Sequence, residues 1–300
     1  MSSSQFFHFP FVEPISKHVC NITTNLIPLQ RIPKPKSHLQ LVYTNRGKCK
    51  SRIVPYNEAK TIMLSSHRFI TPNWPAPTNV RAYTTTRLGG ISKPPWDGFN
   101  LADHVGDAVD AVASNRADLM ALLDVPAAPC WLHQVHSNTV IDMDTISCLN
   151  GKKPLVGDAS VAKKTNRVCA ILTADCLSVL FCHRLGIGVG AAHAGWRGLL
   201  RGVLESTVRA LNMNPVDLLV WLGPGIGPGA FEVGDEVYDA FVQDHTESAL
   251  AFSRGTGTRW SADLYVLARQ RLQRLGIQNI YGGNLCTWQD KKRFLALQQN

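Results

Sequence analysis

Residues 168–211 read VCAILTADCLSVLFCHRLGIGVGAAHAGWRGLLRGVLESTVRAL, and this stretch decides the fold. Three apolar runs come first, Val168–Thr173, 179–182 and 187–191. Each is too short for a helix, so each reads as a buried strand. The turn at 183–186 joins two of them as a hairpin. The period then changes. Leu200, Val203, Leu204, Thr207, Val208 and Leu211 share one face at helical spacing, which predicts an amphipathic helix over 199–211. Strands that arrive both in a hairpin and ahead of a helix argue for a mixed sheet in an α/β fold, not a regular βαβ winding.

The flanking sequence continues the pattern. Val80–Thr85 reads as a strand entering the Gly89-Gly90 turn, and 139–143 and Leu218–Leu222 as two more strands. Helices are expected over 107–123, with Val109, Val112, Leu119 and Leu122 turned inward, and over 232–242 and 262–275. No internal repeat is visible. Gly186, Gly188 and Gly190 lack the spacing and the downstream acidic residue of a dinucleotide-binding loop, so they read as a turn and close strand packing. The run from Gly223 to Gly229 reads either as a backbone nest for an anion or as a rigid connector.

A chain of 300 residues that is 45% hydrophobic can bury a sizeable core. Its charge of +9 is unevenly spread. Residues 1–62 hold nine Lys/Arg against two Asp/Glu, whereas 63–300 hold 22 against 20. The nearly neutral larger part excludes a nucleic-acid partner. Residues 1–62 combine scattered basic residues with prolines and no clean period. They are expected to be a disordered basic extension or an over-long start, with Met63 opening the folded domain 63–300. Their low acidity weakly resembles a transit peptide. No run of about 18 apolar residues exists to span a membrane. The eight cysteines form no CxxC pair. Free thiols in a reducing, cytoplasmic setting fit best, with Cys130, Cys169 and Cys182 as small core residues.

Three of the remaining polar residues have the chemistry of a metal site: His136, Cys176 and His193. Two imidazoles and one thiolate suit zinc, and three protein ligands leave a fourth position open, as in a catalytic site. Cu²⁺ is the substitute such a set would accept. Spacing alone does not establish the site. Arg197 shares a turn with His193, and Arg87 sits by the glycine turn; both are candidates for binding phosphate bidentately or for surface salt bridges. Asp175 is the candidate carboxylate for proton transfer, although a strand would turn it away from Cys176, and Asp158 is the reserve. His133 is expected to face elsewhere or line the pocket, and His104 to be solvated.

The surrounding motifs come in a recognisable order. They are Thr85-Thr86-Arg87-Leu88-Gly89-Gly90-Ile91-Ser92, Phe99-Asn100-Leu101, Trp131-Leu132-His133-Gln134-Val135-His136, Gly157-Asp158-Ala159, Thr173-Ala174-Asp175-Cys176, His193-Ala194-Gly195-Trp196-Arg197-Gly198, and Trp221-Leu222-Gly223-Pro224-Gly225-Ile226-Gly227-Pro228. From about Met63 to Thr287 the chain resembles the YfiH-like family, also called the polyphenol oxidase (laccase-like) or purine nucleoside phosphorylase family. The resemblance implies one catalytic domain, a layered α/β mixed-sheet sandwich similar to the catalytic domain of cytotoxic necrotizing toxins. It implies zinc ligands at His136, Cys176 and His193. It also implies phosphorolysis of purine nucleosides (adenosine, inosine, guanosine, methylthioadenosine) with adenosine deaminase activity. Rival readings are a hydrolase that edits peptidoglycan precursors and a non-catalytic metal-binding protein. A multicopper oxidase is disfavoured, because it needs many histidines in HxH pairs. Here 63–300 hold seven histidines and no HxH. The oligomeric state is open. Family members continue past 287 into a segment rich in aromatic residues and arginine, then a last strand. The segment Lys291 to Asn300 departs from that pattern, which implies a truncated or altered C-terminus.

Overall fold

The structure is a computed structural model that describes residues 38–44, 68–96, 98–146, 155–255 and 257–294. Two sheets face each other. In the first, β1 (His38–Thr44), β2 (Phe69–Ile70), β3 (Val80–Thr85) and β6 (Val168–Thr173) run in the order β2-β3-β1-β6, all antiparallel. The second contains β4 (Val140–Asp142), β5 (Ala159–Ala162), β7 (Leu177–His183), β8 (Val189–Ala194), β9 (Leu218–Leu222) and β13 (Asn279–Gly282). Its order is β13-β9-β7-β8-β5-β4, with parallel pairs only at the two edges. A small third sheet joins β10 (Glu232–Val233), β12 (Trp260–Ala262) and β11 (Phe252–Arg254).

Side-chain alternation along each strand makes four layers. Val42, Ala82, Cys169 and Ile171 meet Leu180, Cys182, Val189, Ala191 and Trp221 between the sheets. The outer face of the first sheet packs Leu39, Leu41 and Tyr43 against Leu119 and Leu123 of α1 (Val109–Leu123). The outer face of the second is covered by α2 (Trp196–Leu200), α3 (Val203–Leu211), α4 (Asp235–Asp244) and α5 (Leu264–Arg274). This is the layered mixed-sheet sandwich that the family resemblance implies.

Several expectations need correction. The helix foreseen over 199–211 is two helices, because the chain breaks at Arg201-Gly202, where Gly202 takes φ +80°. α1 buries Val112, Asn115, Leu119 and Leu123, while Val109 and Leu122 face solvent. Asn115 earns its inward place by hydrogen bonds to Ser92 Oγ and to the carbonyls of Gly98 and Asn100. Cys130 is a buried core residue as expected, but it is disulfide-bonded and not a free thiol. Cys169 and Cys182 are buried thiols as expected, and burial pushes both up to about 12.

The largest correction concerns the N-terminal segment. His38–Thr44 does not lie outside the fold: all seven residues are buried. β1 pairs with β3 on one side and with β6 on the other. Without it those two strands would face each other across an empty strand position. The rest of 1–62 lies outside the described residues. Deleting 1–62 should therefore lower the melting temperature sharply or prevent folding. Leu41→Ala alone should cost about 2–5 kcal/mol. Thermal denaturation followed by circular dichroism checks both, and an unchanged melting temperature on deletion would show that β1 adds nothing.

Candidate metal centre

The second sheet delivers three side chains to one edge. β7 and β8 are antiparallel with Leu177 opposite Ala194, so Cys176, one residue before β7, lies beside the end of β8 that carries His193. β5 is antiparallel to β8 with Ala159 opposite Ala192, which brings Asp158 to the same edge. β4 is parallel to β5, so the preceding residues 136–139 arrive there too. The ligand atoms of His136, Cys176 and His193 all lie within 4.8 Å of one another. Cys176 Sγ is 3.6 Å from His136 Nε2, and the two imidazole centroids are 4.7 Å apart. Among the described residues no other group of three such side chains converges this way.

Backbone shape fits the cluster. His136 takes φ +58°, which a residue with a side chain adopts only when its surroundings hold it there. Gly195 keeps the space beside the cluster open. A Cβ at that position would come within 2.7 Å of Cys176 Sγ and 3.0 Å of His136 Cδ2.

Asp158 ties the cluster together. Its side chain is fully buried. Oδ1 accepts from His136 N at 2.9 Å and lies 2.9 Å from His193 Nδ1. Oδ2 accepts from Val135 N at 3.2 Å, Ser137 N at 2.6 Å and Ser137 Oγ at 2.7 Å. Burial alone would raise its pKa, but the bonds from His193 and Ser137 outweigh burial and hold it well below the usual carboxylate range. A carboxylate so enclosed is poorly placed to exchange protons with a substrate.

The electrostatics alternate in sign. Burial would push the Cys176 thiol up, yet the His193 charge and the hydrogen bond from His136 bring it down to about 6. Burial would lower His193, yet the Cys176 thiolate and Asp158 raise it to about 9. Each group thus favours the charged form of the other, thiolate beside imidazolium.

The other candidates are placed as follows. Asp175 Oδ1 accepts from Thr287 Oγ1 at 2.7 Å, and its carbonyl accepts from Ile226 N at 2.7 Å. Arg87 donates to the carbonyl of Lys291 at 3.2 Å, and its backbone N to that of Arg293. It therefore holds the C-terminal segment. Arg197 is exposed, with its guanidinium 4.3 Å from the Trp196 ring centroid. α2, which carries it, is a single turn, too short for a strong dipole field. His133 and His104 are exposed, His104 beside Asp103. The glycine run is a rigid connector. The N–H groups of Gly223, Gly225, Ile226 and Gly227 donate to Ser178 O, Leu285 O, Asp175 O and Cys286 Sγ, so they are not presented to an anion.

Sequence reasoning missed two participants. One is Ser137, known only through its two bonds to Asp158. The other is Arg201, whose Nη1 donates to the His136 carbonyl at 2.9 Å, while Asn138 Nδ2 donates back to the Arg201 carbonyl at 2.8 Å. Its position four residues after Arg197, on one helical face, was the available signal.

Comparison with known proteins follows the same lines. Residues 81–299 match the family model described as multi-copper polyphenol oxidoreductase laccase. An Escherichia coli protein named purine nucleoside phosphorylase YfiH is 46% identical over 233 residues, covering 78% of this chain and 94% of the relative. A Pseudomonas aeruginosa protein, purine nucleoside phosphorylase PA4543, is 49% identical over 234 residues, covering 77% and 93%. The crystal structure of Neisseria meningitidis protein NMB0706 superposes with a TM-score of 0.72 at 43% identity, covering 76% of this chain and 92% of that one. A match across most of its length, with relatives near half identical, makes this chain a member of the multi-copper polyphenol oxidoreductase laccase family, the YfiH-like family its motifs resemble.

Proposed function

We propose that this chain is a zinc-dependent purine nucleoside phosphorylase that also deaminates adenosine. Adenosine, inosine, guanosine or methylthioadenosine and phosphate would give the free base and ribose 1-phosphate. One observation carries the reading: a thiolate and two imidazoles converge within 4.8 Å. The names of relatives near half identical supply the reaction.

The donor set fits zinc. Thiolate and imidazole suit Zn²⁺, and three protein ligands leave one position for water or substrate. Bound there, zinc would supply a Lewis acid and lower the pKa of water toward neutrality. His136, Cys176 and His193 would hold it, with Cys176 supplying the negative charge. Arg197 and the neighbouring Arg201 would hold phosphate on the exposed side of α2. Asp175, fixed by Thr287, is the carboxylate for proton transfer in this reading. Arg87 would act at a distance by holding the C-terminal segment. A laccase reading would need a copper site plus a trinuclear cluster, and the described residues hold one three-ligand group.

The direct test is incubation with adenosine and phosphate. Adenine with ribose 1-phosphate supports phosphorolysis, and inosine with ammonia supports deamination. Neither product, with zinc bound, would leave only a metal-binding protein.

Cys176→Ala should lose tightly bound zinc and essentially all turnover while the protein still folds. Metal analysis and circular dichroism on the purified variant check this, and retained stoichiometric zinc would sink the ligand assignment. Arg197→Ala should harm phosphorolysis more than deamination, by about 10- to 150-fold for one charge-assisted contact. Both activities are measured in one preparation across a phosphate titration; equal losses would mean that Arg197 serves the nucleoside or the fold.

In metal-free protein, Cys176 should alkylate with a half-maximal rate near pH 6, because its thiol is brought down to about 6. The rate should fall as pH drops through that value, since only the thiolate reacts. An iodoacetamide pH profile with a midpoint near 9 would remove the thiolate–imidazolium pair from the account.

A further inference from the structure

The geometry points to Asp158 as a positioning residue that sets two of the three metal ligands at once, His193 through its ring and His136 through its backbone. The proposal rests on the metal-centre part of the reading above and not on the reaction catalysed.

The argument begins with what each oxygen does. Oδ1 is shared by His136 N and His193 Nδ1, each at 2.9 Å. A carboxylate that already accepts from Val135 N, His136 N, Ser137 N and Ser137 Oγ has no proton to give, so His193 must donate from Nδ1. That fixes Nδ1 as the nitrogen that keeps its proton and leaves Nε2, directed away from Asp158, as the atom a metal would take. Oδ2 gathers Val135 N, Ser137 N and Ser137 Oγ. Three successive backbone N–H groups thus converge on one carboxylate. This arrangement holds His136 at φ +58° with its ring against Cys176.

An amide of the same shape cannot do both jobs. If the Asn nitrogen replaced Oδ1, it would face two donors. His193 would have to carry its proton on Nε2, where it blocks ligation. If the nitrogen replaced Oδ2, it would face the N–H groups of Val135 and Ser137, and the loop holding His136 would open. Either way one histidine ligand is lost, although charge aside the variant is isosteric.

The test uses the full chain and zinc alone. Zinc affinity is measured by competition with a chromophoric chelator for wild type and Asp158→Asn. The variant should bind about 10- to 100-fold more weakly. A wild-type affinity in the variant overturns the proposal. Where the variant does not fold, long-range ¹H–¹⁵N correlation spectra of zinc-free wild-type protein above pH 9, where no metal dictates the tautomer, decide instead. His193 should carry its proton on Nδ1 with Nε2 bare, and a proton on Nε2 overturns the proposal. A merely structural carboxylate would not set that tautomer. Wild-type protein that takes up no zinc overturns the metal centre itself and this proposal with it. Tight zinc binding by wild type and variant alike removes only the role of Asp158.

Discussion

The register between β7 and β8 is the constraint on which the site depends. Ser178 stands opposite His193 and Leu177 opposite Ala194. This places the thiol of Cys176 beside the imidazole of His193 with no contribution from loop length. The register of β5 against β8 then adds Asp158, whose carbonyl accepts from His193 N at 2.7 Å. A slip of one residue along β8 would turn His193 from the space between the sheets to the helical side. The pairing is secured by apolar residues on both faces. Val179 and Phe181 face α3–α5, and Leu180 and Cys182 face the first sheet. Packing far from the cluster therefore fixes His136, Cys176 and His193 within 4.8 Å of one another.

The cluster is also an alternation of charge: Asp158 negative, His193 positive, Cys176 negative. Burial opposes every one of these charges. Each is kept by its neighbour and by hydrogen bonds, five of them on Asp158. Such a group is costly to break at one member, because an uncompensated buried charge remains. Asp158 contributes stability above its ordinary carboxylate pKa, and that contribution is lost as pH falls toward its depressed folded value.

Much of this was legible in the sequence. The strands between 168 and 222 announced themselves because short apolar runs bounded by turn residues have few other uses. The candidate ligand set was legible only through the family resemblance, because seven histidines and several cysteines in 63–300 offer many sets of the types that suit zinc. β1 was not legible. Its sequence, HLQLVYT, alternates polar and apolar residues like a strand with one wet face, and it sits among basic residues and prolines. In the fold both faces are covered, so His38 and Gln40 are buried, His38 with its ring edge-on to Phe294 and Gln40 accepting from Thr173 Oγ1. Asp158 was quoted within a motif, but its work is done on the backbone N–H groups of 135–137, which no pattern of side chains encodes. The break between α2 and α3 was hidden because Gly202 interrupts a helical period without disturbing its apolar spacing.

The proton count of the metal-free pair joins these strands of the argument. His193, raised from 6.5 to about 9, contributes stability present below its unfolded value and lost as pH rises through 9. Cys176, lowered from 9.0 to about 6, contributes stability present above its unfolded value and lost as pH falls through 6. Between those limits the folded pair holds one proton, on the imidazole. The unfolded chain also holds one, on the thiol. The two slopes cancel, so the pair adds nearly no pH dependence to folding across the neutral range. A metal that took both groups would still have to release that one proton, as it would from the unfolded chain, so the charge separation leaves the proton cost of ligation unchanged.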